Sequence, residues 1–326
     1  MENTLLVLKK EDSMQQDKIQ KLLETINTVV VGKEKEVRLL VAGLLARGHV
    51  LLEDLPGMGK TVLAKTLAQT IGGAFQRLQF TADLLPSDVV GLHYFNPKTS
   101  DFELRRGPVF TDVLLADEIN RATPRTQSGL LECMEERQTS IEGTSLTLSP
   151  AFFVIATQNP IESEGTYPLP EAQLDRFLFR LSLGYGTRSD SLEMMRRFRN
   201  DSPLDQVSAV VTIEEILFMQ QEVRQVHVSE AVETYIIDLT EASRTHPSIE
   251  IGISPRAMLS LVRAAQAVAY VEGRNYVLPD DVKLVVPPLF THRIRLTMEA
   301  ELLLMESDVV HELLLLVPAP VEEGVR

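Results

Sequence analysis

Five short, predominantly apolar runs, at residues 50–52, 78–80, 113–116, 152–156 and 177–181, limit the fold of this chain more than any other feature. Runs that do not alternate with polar residues are buried on both faces, which marks parallel strands covered by helices. Helical spacing fills the intervals at 61–71 and 125–136, so the pattern predicts an α/β layer architecture. Ahead of the first run, Ile19, Leu22, Leu23 and Ile26, then Val37, Leu40, Val41 and Leu44, recur at three and four residues, predicting two helices broken near Val31-Gly32.

Beyond Gly184 the strand signals stop, and amphipathic helices are expected at 189–199, 213–226, 229–245, 255–271 and 279–290. Thr212 before Ile213-Glu214-Glu215, and Ser254 before Pro255, read as helix caps. The expected organisation is a flexible tail over 1–17, an α/β domain over 18–190, an all-helical domain over 205–318 and a short tail over 319–326.

The chain has 326 residues and a formal charge of −14, which opposes electrostatic capture of nucleic acid. Arg196, Arg197 and Arg199 form the densest basic cluster and read as a solvated helix face. Cys133 is the one cysteine and reads as a helix-packing residue in a reducing setting. The apolar stretch Leu5-Leu6-Val7-Leu8 is too short for a signal segment, and no run approaches the roughly 20 residues of a membrane span. A cytoplasmic protein without membrane insertion is expected.

The first apolar run leads into Glu53-Asp54-Leu55-Pro56-Gly57-Met58-Gly59-Lys60-Thr61-Val62 and then a helical pattern. Glycines here let successive N–H groups face phosphates, Lys60 can reach the β and γ oxygens, and Thr61 can offer its hydroxyl to Mg²⁺. Pro56, Gly57, Met58, Gly59, Lys60, Thr61 and Val62 are therefore expected to bind ATP. The strict pattern places glycine where Asp54 stands. The third run ends in Asp117-Glu118, suited to holding Mg²⁺ through Asp117 and to polarising an attacking water through Glu118. The fourth ends at Asn159, a candidate γ-phosphate sensor or else a plain turn residue before Pro160. Arg176, entering the fifth run, is a candidate arginine finger supplied to a neighbouring subunit. Arg180 is a weaker rival, and a helix-end pair of Asp175 with Arg176 is the alternative.

These motifs in this order match the AAA+ superfamily, and their wording resembles the MoxR family. Gln79-Phe80-Thr81-Ala82-Asp83-Leu84-Leu85-Pro86-Ser87-Asp88, Asp117-Glu118-Ile119-Asn120-Arg121-Ala122, Leu130 through Gln138, and Ala156-Thr157-Gln158-Asn159-Pro160-Ile161-Glu162 carry the resemblance. It implies a P-loop ATPase core with strand order 5-1-4-3-2, a helical lid, and a hexameric homo-oligomeric ring with ATP and Mg²⁺ at subunit boundaries. It also implies that Gly32 turns near the adenine and that Arg256 is a second sensor, acting in its own subunit or across the boundary. An insert at 83–97 and a hairpin at 137–150 would face a protein client, and a partner with a von Willebrand factor A domain is implied. A chaperone-like remodeller is the leading expectation; a helicase-like motor, a metal-chelatase motor subunit and a nucleotide-gated scaffold are the rivals.

Overall fold

The computed structural model describes residues 2–160, 165–200 and 202–320. The chain opens with helices α1 (Glu2–Val29) and α2 (Glu34–Leu45), then strand β1 (Val50–Glu53), helix α3 (Lys60–Thr70) and strand β2 (Phe75–Gln79). A short helix α4 (Pro86–Val90) precedes the hairpin of β3 (Gly91–Asn96) and β4 (Asp101–Arg106). Strand β5 (Val113–Asp117), helix α5 (Pro124–Glu136), the hairpin of β6 (Gln138–Ile141) and β7 (Thr144–Thr147), strand β8 (Phe153–Gln158), the helical turn α6 (Glu171–Leu174) and strand β9 (Phe179–Leu181) complete the α/β part. The remainder comprises α7 (Arg188–Arg197), α8 (Ile213–Val223), α9 (Glu230–Thr245), β10 (Ile249–Ile251), α10 (Pro255–Val271), α11 (Pro279–Phe290), β11 (Arg295–Leu296), α12 (Met298–Glu301) and α13 (Glu306–Leu316).

The central sheet runs β2-β5-β8-β1-β9 with every pairing parallel. Counted among these five strands alone, that is the expected order 5-1-4-3-2. Burial on both faces explains the unbroken apolar runs of β1, β5 and β8. Val50, Leu52, Val113, Leu115, Phe153 and Ile155 join one apolar cluster with α1, α2 and α3. Leu51, Leu114, Ala116, Val154 and Ala156 join the opposite one with Leu130, Leu131 and Met134 of α5. Cys133 packs in that second layer as expected, and burial pushes its thiol up to about 11.

The first cluster continues without interruption into Ile216, Leu239, Leu261, Val268, Val285 and Leu289 of the helical part. The lid is thus seated on α2 and on the sheet through a shared apolar core. It is helical as expected, with one addition: β10 and β11 pair antiparallel. Strands of three and two residues are too short to leave a pattern in the sequence.

The segment expected as a flexible tail, residues 1–17, is corrected from Glu2 onward, because α1 begins there and runs unbroken to Val29. Residues 2–17 contain neither proline nor glycine and are rich in Leu, Lys, Glu and Gln, so intrinsic propensity sustains the helix that the apolar spacing marks only from Ile19. Ile161, Glu162 and residues 321–326 of the expected C-terminal tail lie outside the described residues. No helix among the described residues is long and apolar enough to cross a membrane.

Two buried histidines tie the layers together. The Nδ1 atom of His49 accepts from the Val154 N–H at 3.0 Å, and its Nε2–H donates to the Met134 carbonyl at 3.0 Å. His292, in the lid, donates through Nε2 to the Phe177 carbonyl at 3.0 Å. Burial lowers both pKa values, His49 to about 3, with Arg137 and Arg293 respectively adding repulsion. Each imidazole is therefore neutral when folded and takes up a proton near 6.5 when unfolded. The unfolded state binds more protons below that value, so this stabilisation is complete above about pH 6.5 and is lost as pH falls below it, for His49 down to about 3. Urea denaturation should show stability falling across that window by up to about 1.4 kcal/mol per pH unit for each histidine. A His49→Gln chain, less stable at neutral pH, should show a shallower slope.

Candidate functional site

The carboxyl ends of β1, β5 and β8 bring the expected site residues together, because β8 lies between β5 and β1. After β1 the chain passes through Gly57 (φ +82°) and Gly59 (φ +84°), and Gly59 caps α3. A Cβ built at either glycine would meet nothing within 4 Å. The left-handed backbone and the open space around it are what a phosphate cradle needs. Lys60 and Thr61 open α3, and the Lys60 ammonium donates to the Asp54 carbonyl at 2.7 Å. Burial lowers the Lys60 pKa, opposed by the charges of Asp54, Asp117 and Glu118.

Asp54 has a structural task that the sequence did not disclose. Its Oδ1 accepts from the Ser182 hydroxyl at 2.7 Å and the Gly184 N–H at 3.0 Å, and its Oδ2 accepts from the Leu183 N–H at 2.7 Å. The carboxylate therefore hooks the start of the phosphate loop to the chain leaving β9. That chain leads into α7, which walls a cavity of about 640 Å³. Gly57, Met58, Gly59 and Val62 line one side of it, Val29, Val30, Val31 and Lys33 a second, and Tyr185, Met194, Met195 and Phe198 a third. Apolar walls beside a phosphate loop suit a purine base. Gly32 (φ +67°) makes the turn between Val31 and Lys33, and a Cβ there would collide with the Asp190 carboxylate. The trio Arg196, Arg197 and Arg199 is only partly a solvated face, since Arg197 donates to the Asn27 carbonyl at 2.6 Å and the Thr28 carbonyl at 2.8 Å.

At the end of β5, Asp117 is held from two sides. Thr157 Oγ1 donates to Asp117 Oδ1 at 2.6 Å, and Arg77 donates to Oδ2 at 2.6 Å and 3.1 Å. Glu118 adopts a left-handed conformation (φ +56°), and its N–H donates to Thr157 Oγ1 at 2.9 Å. Its carboxylate accepts from Gln79 at 2.6 Å and pairs with Arg121 at 2.9 Å. A strained backbone of this kind persists only where the surroundings hold it. Asn159 is buried just beyond β8. No cluster of three or more His, Cys, Asp or Glu suited to a metal occurs among the described residues. Mg²⁺ fits Thr61 and Asp117 all the same, because that ion takes one or two protein oxygens and completes its shell with phosphate and water.

Sequence reasoning missed Arg77, Gln79, Arg121 and Thr157. Arg77 and Gln79 alternate along the edge strand β2, and Gln79 stands opposite Asp117 in the register. That alternation beside an acidic strand end was the available signal.

The two remaining candidates lie elsewhere. Arg176 donates to the Leu131 carbonyl at 2.6 Å and pairs with Glu135 Oε2 at 3.2 Å, while Arg256 pairs with Glu135 Oε1 at 2.8 Å. Both line a second cavity, about 340 Å³, between α5 and the lid, and neither lines the one beside the phosphate loop. Arg180 pairs with Glu53 at 3.5 Å. Asp175 is engaged by the lid's Arg293 at 2.6 Å, so it is not reserved for Arg176.

Residues 49–179 match the ATPase family associated with various cellular activities (AAA), and residues 241–313 match the AAA lid domain. The chain is 46% identical over 305 residues to the uncharacterised protein YeaC of Bacillus subtilis, covering 93% of this chain and 95% of that one. It is 39% identical to Chaperone MoxR1 of Mycobacterium tuberculosis, over 86% of this chain and 77% of that protein, and 32% identical to Protein MoxR of Methylorubrum extorquens, over 90% and 93%. The chain belongs to the MoxR family of AAA+ ATPases. A crystal structure of a Cytophaga hutchinsonii protein assigned as an ATPase superposes with a TM-score of 0.90 at 39% identity, covering 98% of this chain and 99% of that one. The helical part is accordingly an AAA lid, and residues 83–97 hold α4 and β3, the latter paired antiparallel with β4.

The Asp54 hook makes a testable exception to the general phosphate-loop pattern. Replacing Asp54 by the glycine that pattern expects should destabilise this chain, because the buried Leu183 N–H alone loses its acceptor at about 1–3 kcal/mol. Asp54→Asn, which keeps one acceptor oxygen, should lose less. Thermal denaturation of the two variants beside the parent orders them.

Proposed function

We propose that this chain is the ATP-hydrolysing, Mg²⁺-dependent subunit of a homo-oligomeric ring, hexameric in number, that remodels protein clients in the cytoplasm. The observation that carries the reading is the separation of the machinery within one subunit. Lys60, Thr61, Asp117, Glu118 and Asn159 stand at the start of α3 and at the carboxyl ends of β5 and β8, whereas Arg176 and Arg256 share Glu135 in the cavity between α5 and the lid. An arginine that stabilises the transferring phosphoryl group has to reach it. A ring, in which each subunit offers its arginines to the next subunit's nucleotide, reconciles the chemistry with that separation.

When bound, ATP with Mg²⁺ supplies the phosphoryl group and the charge that neutralises its leaving oxygens. The N–H groups of residues 57–62 would cradle the phosphates, and Lys60 would exchange the Asp54 carbonyl for a phosphate oxygen. Thr61 and Asp117 would hold the cation, Asp117 being oriented by Thr157 and Arg77. Glu118 orients and polarises water, and Gln79 and Arg121 fix its carboxylate until it does so. Asn159 reports the γ-phosphate.

A protein client is favoured over nucleic acid by the charge of −14 and by the exposed aromatic pair Phe95 and Phe102, whose ring centroids stand 5.6 Å apart on the β3–β4 hairpin. The chaperone name of one relative points the same way. A partner with a von Willebrand factor A domain follows from the family resemblance.

Two measurements test this reading. Glu118→Gln should bind ATP with affinity near that of the parent and lose at least about 100-fold in turnover, the range of a general base. Retained turnover in that variant would remove Glu118 from the role. Arg176→Ala and Lys60→Ala chains, each inactive alone, should regain ATPase activity when mixed, because the first supplies an intact phosphate loop and the second an intact finger. Activity carried by the Arg176→Ala chain by itself would count against the finger.

A further inference from the structure

The cavity that holds Arg176 and Arg256 contains more positive charge than the ring reading uses. Seven arginines line it, against two carboxylates, Glu135 and Asp175. Asp175 is taken by Arg293, and Glu135 is divided between Arg176 and Arg256. Arg137 and Arg293 also donate to backbone carbonyls, which satisfy their N–H groups without cancelling their charge. The guanidinium groups of Arg47, Arg224 and Arg263 form no ion pair or hydrogen bond with any described residue.

Their placement is not incidental to the helices that carry them. Arg256, Ser260 and Arg263 follow at four and three residues along α10, so they form one stripe facing the cavity. Arg224 caps the carboxyl end of α8, and Arg47 follows that of α2. Helix carboxyl ends accommodate cations only weakly, and that term does not reach Arg263 in mid-helix. The arginines also repel one another. The charge of Arg224 adds to burial in lowering the Arg47 pKa, and the charge of Arg47 adds to burial in bringing Arg137 down to about 10. In a chain of net charge −14, acidic residues to pair them were plentiful and are not there.

Guanidinium groups collected without counterions are matched by a compact polyanion, and phosphate oxygens suit their fork of donors. We propose that this core–lid cavity is a polyphosphate receptor for the nucleotide held by the adjoining subunit, in which Arg224 and Arg263 bind the phosphates beside Arg176 and Arg256. The proposal rests on the ring reading and deepens it. Arg47 sits behind them and strengthens the field. Glu135 presents Arg176 from the core and Arg256 from the lid as a spaced pair, so both face one phosphate chain.

The test uses the mixed assembly, in which hydrolysis occurs at the phosphate loop of the Arg176→Ala chain facing the arginines of the Lys60→Ala chain. Adding Arg224→Ala and Arg263→Ala to the Lys60→Ala chain should reduce the rescued turnover about tenfold or more, the scale of losing hydrogen bonds to charged groups. Lysine at the same two positions should retain more turnover than alanine. The thermal midpoint of the isolated alanine-substituted chain should stay level or rise, because like-charge repulsion is relieved. That stability readout separates lost recognition from lost folding. Rescue that is indifferent to Arg224 and Arg263 overturns the proposal and leaves the ring reading standing. A lower thermal midpoint together with equal loss in the lysine and alanine variants overturns it also, by making both residues structural. Absence of any rescue with Arg224 and Arg263 intact sinks the ring reading and the proposal together.

Discussion

Burial of the central sheet on both faces is the constraint from which the rest of this molecule follows. Between its two apolar layers, strands β1, β5 and β8 have no place for a charge along their length. Polar chemistry is pushed to where the strands emerge. Asp54, Asp117-Glu118 and Asn159 all stand at carboxyl ends, and the parallel register sets those ends side by side: Glu53 opposite Gln158, and Gln79 opposite Asp117. Open α/β sheets bind ligands at this edge for the same reason. The crossover order matters as well, because it interposes β8 between β5 and β1 and so puts Thr157 within reach of Asp117.

The lid extends this constraint to the opposite side of the subunit. Arg293 reaches from beyond α11 to the Asp175 carboxylate and to the carbonyls of Asp175, Phe177, Leu178 and Leu289, while His292 takes the Phe177 carbonyl as well. The loop that carries Arg176 is consequently fixed by lid residues on one side and by the Leu131 carbonyl on the other. Breaking a buried pair of this kind is strongly destabilising because it strands the remaining charge. The Arg176 loop is therefore fastened to the lid, the part of the chain that also carries Arg256.

Much of this was legible in the sequence, for reasons that mark its limits. Strands β1, β5 and β8 were visible because double-sided burial leaves continuous apolar runs, whereas the run at 78–80 caught only the end of the more exposed edge strand β2; α10 and α11 were visible to the residue because Pro255 and Pro279 open them. Lys60, Asp117 and Glu118 were visible because their chemistry fixes both residue type and spacing. Arg77, Gln79 and Thr157 were not, because their roles arise from strand pairing between segments about 40 residues apart. The shared Glu135 was hidden for the same reason. It joins residues from α5, the approach to β9 and α10, which only the docking of the lid brings together.

Asp54 shows how a departure from a pattern can be compatible with the pattern's purpose. Glycine in the strict sequence serves a backbone that must curl, yet Gly57 and Gly59 already supply the two left-handed residues of this loop. Position 54 is still in extended register with β8, through its N–H to the Gln158 carbonyl at 3.3 Å, so a side chain is tolerated there. The carboxylate spans to Ser182, Leu183 and Gly184, while the carbonyl of the same residue receives Lys60. One residue thus touches both the lysine that must engage phosphate and the strand exit that leads to Tyr185 and α7 on the base side of the cavity. If Lys60 turns to a phosphate, the Asp54 carbonyl loses that donor while the three bonds of the carboxylate still hold the loop to the exit of β9.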